Sequence, residues 1–179
     1  MYKVLEVDGA NSYETFFDLQ NLETGEKITC FEPGDYSEYK SFHFIKEGEV
    51  YDCLIEITGE FIDKKEYEYD DYYEILELNV RIGNWKFAKI KLNETIYYLK
   101  MDDLEDAYKG DLKELKIGDE ILFRQMTYRL LQVNDVINDD YQITDEYIRR
   151  TYNRLERAKR DNEENTIKYC LLKLRMLED

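Results

Sequence analysis

The sequence is poor in the residues that build many catalytic and metal sites. Histidine occurs once, as His43, in a chain of 179 residues. A single histidine excludes metal sites that need a pair of imidazoles, and it leaves only one imidazole as a general base. Proline also occurs once and glycine only eight times, which argues against long flexible linkers. We therefore expect a folded chain without a histidine-based metal site.

Cysteine is scarce as well. The thiols of Cys30, Cys53 and Cys170 are odd in number and far apart, and the chain has no C-x-x-C pair. This pattern predicts three reduced, mostly buried thiols, in place of a disulfide framework or a zinc site. A catalytic pair of His43 with Cys30 or Cys53 is conceivable, although the sequence shows no obvious partner for the histidine.

Catalytic and targeting motifs are missing too. The sequence has no P-loop, no G-x-G-x-x-G and no G-x-S-x-G, so we expect no enzyme and no cofactor. No apolar run approaches the length of a membrane span, about 18 residues. The N-terminus alternates and carries acids at Glu6 and Asp8, unlike a secretory signal. We therefore expect a cytoplasmic protein.

The chain has far fewer cations than acids, and most of the excess of acids lies in one part of the chain. The whole chain has 25 Lys and Arg against 41 Asp and Glu, a net charge of −16. Residues 1–71 hold 6 cations against 19 acids, or −13, whereas 72–137 carry −2 and 138–179 carry −1. Such a field repels nucleic acid and anionic membranes and attracts basic surfaces. Solubility alone is the other explanation.

A repeat of about 70 residues is what the chain does have. Residues 2–7 (YKVLEV) return as 73–78 (YEILEL), at an offset of 71. Residues 46–51 (KEGEVY) are echoed by 116–121 (KIGDEI), at an offset of 70. Two landmarks in the same order and at nearly the same spacing predict two copies of one small β unit.

Each copy has the pattern of short strands joined by tight turns. The predicted strands are 3–7, 13–19, 28–31, 42–45, 50–57 and 61–62 in the first copy, and 73–82, 85–92, 95–101, 121–123 and 128–133 in the second. Strands of this number and length usually close into a small barrel or sandwich, because closure removes exposed edges. The glycine–acid step before a long strand resembles that of small OB-like or SH3-like barrels.

After Asn134 the apolar pattern changes to the 3.6-residue period of a helix. Thr144, followed by two acids, is typical of a helix start. Ile148, Tyr152 and Leu155 fall on one apolar stripe. A second stripe, of different phase, consists of Ile167, Leu171, Leu174 and Leu177. The change of phase favours a helical hairpin over a single long helix.

These patterns together predict a mostly β fold with C-terminal α structure. Two tandem barrel-like units, at 1–71 and 72–137, precede a helical hairpin at 138–179. Whether the two units share one core is left open.

The join between the copies, residues 63–73, is rich in acids and tyrosines. It is either a hairpin that extends both copies or an exposed acidic linker, and the four acids within 66–71 favour the linker. Tyrosines among acids make rigid contact surfaces that suit protein binding, although packing explains most of the 17 tyrosines. The candidate partner-binding residues are Tyr36, Tyr39, Glu66, Tyr67, Glu68, Tyr69, Asp70 and Asp71.

The first predicted helix carries an arginine face. Guanidinium groups suit phosphates and bidentate carboxylates, so this face is the candidate for contact with nucleic acid or an acidic surface. Its arginines are Arg149, Arg150, Arg154, Arg157 and Arg160. The alternatives are a solvated helix face and a face that docks on the acidic first copy, and the negative field disfavours nucleic acid.

The acidic run at 102–106 lacks the alternating ligands and the central glycine of a calcium loop. Two of its carboxylates, Asp102 and Asp103, would suffice for a magnesium ion, but a loop that begins a helical turn is the simpler interpretation. We expect no metal site, and an enzyme that uses a divalent metal on these acids is a third hypothesis.

The sequence favours non-catalytic binding of another macromolecule. We expect an acidic protein-binding module whose first copy docks on a basic protein surface, such as that of a nuclease toxin. An immunity-type or anti-defence inhibitor would present carboxylates in place of phosphates and gain association rate from electrostatic steering. The alternative is an OB-like nucleic-acid-binding protein that uses barrel aromatics and the arginine face. A structural subunit of a larger assembly also stays open.

Overall fold

The structure is a computed structural model that describes residues 1–9, 14–33, 42–62, 65–68, 70–107, 115–142 and 145–175. Met1–Asn138 form one compact unit and Asp139–Asp179 form a second. The predicted boundary between 71 and 72 lies inside the first of these units, in which strands from both halves of the sequence pair with each other.

The described residues form ten strands in one sheet, three α-helices and a 3₁₀ turn at Asp139–Tyr141. The strands are β1 (Tyr2–Asp8), β2 (Glu14–Asn21), β3 (Lys27–Pro33), β4 (Val50–Tyr51), β5 (Cys53–Phe61), β6 (Asp70–Ile82), β7 (Trp85–Leu92), β8 (Thr95–Lys100), β9 (Glu120–Val133) and β10 (Val136–Ile137). The helices are α1 (Met101–Ala107), α2 (Asp145–Asp161) and α3 (Glu164–Arg175). The prediction of a mostly β fold with C-terminal helices is confirmed.

Five of these strands close into a barrel. β9 pairs antiparallel with β5 on one side and with β6 on the other. β6, β7 and β8 follow as antiparallel neighbours, and β8 closes the ring through a parallel contact of Tyr98 with Glu56 on β5. The barrel therefore contains one strand from residues 1–71 and four strands that lie almost wholly within residues 72–137.

The remaining strands reach the same β5–β9 pair. β1, β2 and β3 form an antiparallel meander, and β3 meets β9 in a parallel contact of Cys30 with Tyr128. That contact lies beyond Arg124, where the pairing of β9 with β6 ends. β1 pairs with β4, which only Asp52 separates from β5. The antiparallel pair of β5 and β9, termed the shared ribbon below, thus joins the two halves of the sequence.

The two landmarks of the sequence repeat make the same backbone hydrogen bonds. The bonded residues are Val4 with Gly48 and Glu49 in the first half, and Ile75 with Gly118 and Asp119 in the second. In each half, the backbone N–H of the strand residue donates to the carbonyl oxygen of the acid, and its carbonyl oxygen accepts the N–H of the glycine. Gly48 has a φ of 81° and Gly118 a φ of 92°, a conformation that glycine adopts at low cost.

The core is continuous across both halves. One cluster of buried apolar side chains contains Val4 and Leu19 from the first half, Ile55 from the shared ribbon, and Ile90 and Phe123 from the second half. Since contacts of buried side chains run through the ribbon, the two halves share this hydrophobic core.

Several predicted elements differ from the structure in detail. His43 lies in a turn and not in a strand, so the predicted strand at 42–45 is wrong. The predicted strands 50–57 and 61–62 are instead β4 and β5, and β5 runs without interruption through Gly59 to Phe61. The predicted strands 121–123 and 128–133 are one strand, β9, because a β-bulge near Met126 lets pairing with β5 continue.

The C-terminal helices form the predicted hairpin, with Asn162 in a left-handed conformation between them. Tyr152 is 52 % exposed, so its place on the apolar stripe is wrong, whereas Leu155 is buried. Among the side chains of α2 that the structure describes, the buried ones are Thr151, Leu155 and Ala158. In α3, Cys170 and Leu174 are buried with Leu155, and Leu171 is exposed. The predicted cap Thr144 and Leu177 lie outside the described residues.

Replacement of Gly59 tests the close contact inside the shared ribbon. A Cβ atom at Gly59 would lie 2.0 Å from the carbonyl oxygen of Arg124 and 2.8 Å from the ring of Phe123. We expect Gly59→Ala to lower the free energy of unfolding in urea by about 2 kcal/mol or more, because the ribbon has to shift. The matched control is Glu60→Ala, at an exposed position of the same strand, with an expected change under about 0.5 kcal/mol. Equal effects would contradict the close contact.

Separation of the two halves tests their dependence on the shared ribbon. A fragment of residues 1–71 lacks β9, and a fragment of 72–138 lacks β5. We expect each fragment alone to show no cooperative thermal unfolding, because neither can complete its strand pairing. An equimolar mixture should recover β-type circular dichroism and a cooperative transition. Cooperative unfolding of either fragment alone would contradict this dependence.

Candidate protein-binding face

The turn before β6 is built around one buried carboxylate. Asp70 has no exposed surface, and its Oδ1 lies 2.8 Å from Nε of Arg124. Its Oδ2 accepts the backbone N–H groups of Glu66 at 2.7 Å and Tyr67 at 2.8 Å. The guanidinium of Arg124 lies 4.4 Å from the ring centroid of Tyr67. Hydrogen bonds from Arg124 and from the two amides hold the pKa of Asp70 well below its usual range.

Burial changes the role that the sequence suggested for Asp70. A side chain without exposed surface cannot contact a partner, so we reassign Asp70 from partner contact to positioning of the turn at 65–68. The expectation of an exposed linker is accordingly wrong at this residue. The physical reason is Arg124, which lies 54 positions away in sequence and supplies the compensating charge.

The other predicted contact residues of the join have mixed environments. Glu66 and Glu68 are exposed, and Tyr67 is 49 % exposed although Arg124 covers part of its ring. Asp71 forms an ion pair with Lys65 at 3.2 Å. Three predicted contact residues lie outside the described residues: Tyr36, Tyr39 and Tyr69.

A different surface combines two aromatic rings, one exposed and one half-buried, with acids. Phe16 on β2 lies opposite Phe31 on β3, with ring centroids 5.3 Å apart and an interplanar angle of 39°. Phe17 and Cys30, the next residues along each strand, are buried, so the two rings are on the outer face of the sheet. Phe16 is 39 % exposed.

Sequence reasoning missed this aromatic pair, although the alternation of the two strands carried the signal. Phe16 falls in the same phase as Glu14 and Asp18, and Phe31 in the same phase as Lys27 and Thr29. An aromatic residue in the polar phase of a strand is expected on the solvent side, because side chains alternate between the two faces.

Carboxylates lie beside Phe16, both on its own strand and on β1. Asp8 on β1 lies directly opposite Phe16. Asp18 accepts the hydroxyl of Thr29 at 2.6 Å and keeps further lone pairs for other donors. The pair and the acids on its side of the sheet, termed the acidic aromatic face, are Glu6, Asp8, Glu14, Phe16, Asp18 and Phe31.

The corresponding hairpin of the second half, formed by β7 and β8, has a buried aromatic ring and basic residues. Phe87, at an offset of 71 from Phe16, is fully buried. It lies opposite Lys100 on β8, and Nζ of Lys100 lies 5.0 Å from the ring centroid of Trp85. Lysines, in place of acids, accompany this hairpin: Lys86, Lys89, Lys91 and Lys100.

The hairpin turn between β2 and β3 reaches the second half through a carboxylate. Glu26 accepts the hydroxyl of Tyr97 at 2.9 Å and that of Thr95. Tyr97 is fully buried and stacks on Tyr128, with centroids 5.6 Å apart. Burial raises the pKa of Tyr97 far above its ordinary value. These tyrosines pack inside the molecule and do not form a binding surface.

The sequence also gave no sign of a buried ion cluster on the shared ribbon. Glu56 on β5 has no exposed surface and lies opposite Arg129 on β9. Its Oε1 is 3.4 Å from Nζ of Lys100, and its Oε2 is 3.9 Å from Nη1 of Arg129. A shift in register would separate the buried charge from these cations, so the cluster disfavours other pairings of the ribbon.

The predicted arginine face of α2 makes contacts within its own hairpin. The guanidinium of Arg154 lies 5.3 Å from the ring centroid of Tyr169 on α3. Arg157 is 3.8 Å from Asp161, in an exposed pair that contributes little to stability. The other members are Arg160, which is exposed, and Arg149 and Arg150, whose side chains lie outside the described residues.

The remaining candidates for chemistry are the thiols, the single histidine and the acids of α1. Cys30 and Cys53 are buried, and burial raises the pKa of Cys53 to about 12, which disfavours the nucleophilic thiolate. His43 is exposed. Asp102 and Asp103 lie in the first turn of α1. Among the described residues, no group of three or more potential metal ligands is placed to hold an ion.

Comparison of the chain with protein-family models, with curated proteins and with solved structures finds no match. Within the described chain, no helix combines the length and the apolar composition that a membrane crossing requires. We therefore infer function from the surfaces described above.

The buried pair of Asp70 and Arg124 is expected to make stability depend on pH. Because its folded-state pKa is lowered, Asp70 contributes fully above the unfolded-chain value of about 3.9. That contribution is lost as the pH falls through the folded-state value. We expect Asp70→Asn to lower the midpoint of thermal unfolding at neutral pH, and the difference from wild type to shrink in strong acid.

The control for this variant is Asp71→Asn, which removes the adjacent, exposed carboxylate that pairs with Lys65. Exposed ion pairs are worth little, so its unfolding midpoint should stay close to that of wild type at every pH. Equal midpoints for Asp70→Asn and Asp71→Asn would contradict the positioning role of Asp70.

Proposed function

We propose that this chain is a non-catalytic protein-binding module whose acidic aromatic face docks on a basic surface of a partner protein. The observation that carries the proposal is the outward-facing pair of Phe16, which is 39 % exposed, and the half-buried Phe31, with carboxylates beside Phe16. Aromatic side chains supply most of the energy at the centre of protein interfaces, and a charged rim supplies orientation and association rate. The acidic aromatic face has both an aromatic centre and charged residues at its rim.

The distribution of charge supports a basic partner. Residues 1–71 carry −13 of the total −16, and the acidic aromatic face belongs to this part of the chain. Such a field attracts cationic surfaces over about one Debye length, roughly 8 Å at physiological ionic strength. Enzymes that handle nucleic acid have cationic surfaces of this kind. We propose a cytoplasmic inhibitor of such an enzyme, of the immunity or anti-defence type.

We also propose that residues 1–71 and 72–137 are tandem copies of one OB-like barrel unit. Three antiparallel strands open each half, and a long strand of the shared ribbon follows: β5 in the first and β9 in the second. Each third strand then makes a parallel contact with the ribbon strand of the other half. OB folds bind ligands on the face of their second and third strands. In the first half, β2 and β3 carry the aromatic pair.

Affinity capture with matched variants tests the docking proposal. The tagged chain is used to capture proteins from a lysate of its own organism, with and without nuclease, and these are identified by mass spectrometry. We expect one dominant basic protein that survives nuclease and is released by salt. The double variant Phe16→Ala, Phe31→Ala should lose it. Ile117→Ala, which truncates a side chain that is 67 % exposed and belongs to the second half, should retain it.

Two results would contradict the proposal. Capture that is unaffected by the double variant would move the binding site away from the acidic aromatic face. Recovery of nucleic acid, or of proteins that are lost after nuclease treatment, would favour the OB-like nucleic-acid-binding alternative instead. Thermal unfolding of each variant serves as the folding control.

A further inference from the structure

The charge of the side chains changes along the side of β1, β2 and β3 that carries the acidic aromatic face. At one end, Asp8, Phe16 and Phe31 form a row across β1, β2 and β3. At the other end, Lys3 and Lys27 flank Gln20 in a row of the same kind. Among the described residues of β1, β2 and β3, the cations on this side of the sheet therefore lie away from the aromatic pair, and the acids lie beside Phe16.

One side-chain chemistry fits both the rings and the acids. A guanidinium group is planar, weakly hydrated and able to stack on an aromatic ring while its N–H groups reach a carboxylate. A lysine ammonium is compact and strongly hydrated, so it gains less from the rings. An aliphatic side chain would cover the rings and leave the carboxylates without a donor.

The protein uses this combination inside its own structure. Arg124 stacks on the ring of Tyr67 at 4.4 Å while its Nε lies 2.8 Å from the carboxylate of Asp70. Arg154 stacks on Tyr169 at 5.3 Å. In the part of the chain that the structure describes, only the first of these two pairs, that of Arg124 on β9, also has a carboxylate at the edge of the guanidinium, that of Asp70 on β6.

The second half of the chain supplies a cation where the first half has none. In the paired register, Phe87 and Lys100 occupy the positions that correspond to Phe16 and Phe31. Lys100 provides a positive charge there and lies over Trp85. In the first half, the aromatic ring of Phe31 occupies the position of the lysine, so this position itself supplies no cation.

We propose that the acidic aromatic face is an arginine-binding subsite, in which an arginine of the partner protein stacks on Phe16 and Phe31 and donates hydrogen bonds to Asp18 or Asp8. This inference rests on the proposed docking function and names the side chain that is recognised. It makes the partner surface rich in arginine, as phosphate-binding surfaces of nucleic-acid enzymes are.

Two capped tripeptides of equal charge test the subsite: acetyl-Gly-Arg-Gly-amide and acetyl-Gly-Lys-Gly-amide. The measurement is the aromatic ¹H–¹³C spectrum of the intact chain at low ionic strength, titrated with each peptide. We expect the arginine peptide to shift the signals of Phe16 and Phe31 saturably, with an affinity roughly twofold to fivefold higher than that of the lysine peptide. This ratio is what a cation–π contact at an exposed site supplies.

Three variants separate stacking from charge. Phe16→Leu keeps an apolar side chain and removes the ring, so it should abolish the preference for arginine. Asp18→Asn removes one acceptor charge and should weaken binding of the arginine peptide. Glu94→Gln, which removes an exposed carboxylate of the second half, outside the face, should leave both affinities unchanged.

The outcomes distinguish the subsite from the docking function. Equal affinities for the two peptides, unchanged in Phe16→Leu, would overturn the arginine subsite. The docking function would stand in that case if capture of the basic partner still required Phe16 and Phe31. Absence of shifts at Phe16 and Phe31 with either peptide, together with capture that is indifferent to these residues, would overturn both.

Discussion

The antiparallel pairing of β5 with β9 is the interaction on which the rest of the structure depends. Its inner side chains, among them Ile55, Ile57 and Leu130, belong to the single core, and its outer side places Glu56 opposite Arg129. The meander of β1–β3 and the hairpins of β6–β8 both end on this pair. A ribbon that is apolar on one face and charged on the other has one register that satisfies both faces.

The two hairpins that flank the ribbon carry different side chains on a similar backbone pattern. Phe87 is fully buried, whereas its counterpart Phe16 is 39 % exposed. The lysines of β7 and β8 accompany the buried hairpin, and the carboxylates of β1 and β2 accompany the exposed one. Residues on the outside of a strand can change without disturbing the core, because alternation separates the two faces. Function is therefore easiest to vary on the outer face.

The sequence predicted those features that depend on neighbouring residues. Alternation placed most strands, and the repeat identified the glycine turns at Gly48 and Gly118. The sequence did not reveal which strands pair with each other. For example, the contact of Cys30 with Tyr128 joins residues that no local pattern connects. Asp70 was assigned to the surface for the same reason: its acidic neighbours are visible in the sequence, but Arg124 is not. Phe16 and Phe31 were visible in the alternation, yet their opposition across two strands was not.

The position of β9 in the chain has a consequence for synthesis on the ribosome. The first-half strand β3 contacts a residue of β9, and β9 ends at Val133. The first 71 residues, which carry most of the charge, therefore cannot complete their strand pairing until some sixty more residues have been synthesised. At typical elongation rates of about 5–20 residues per second, this wait lasts several seconds. During that interval the self-repulsion of the acidic segment opposes aggregation of its unpaired strand edges.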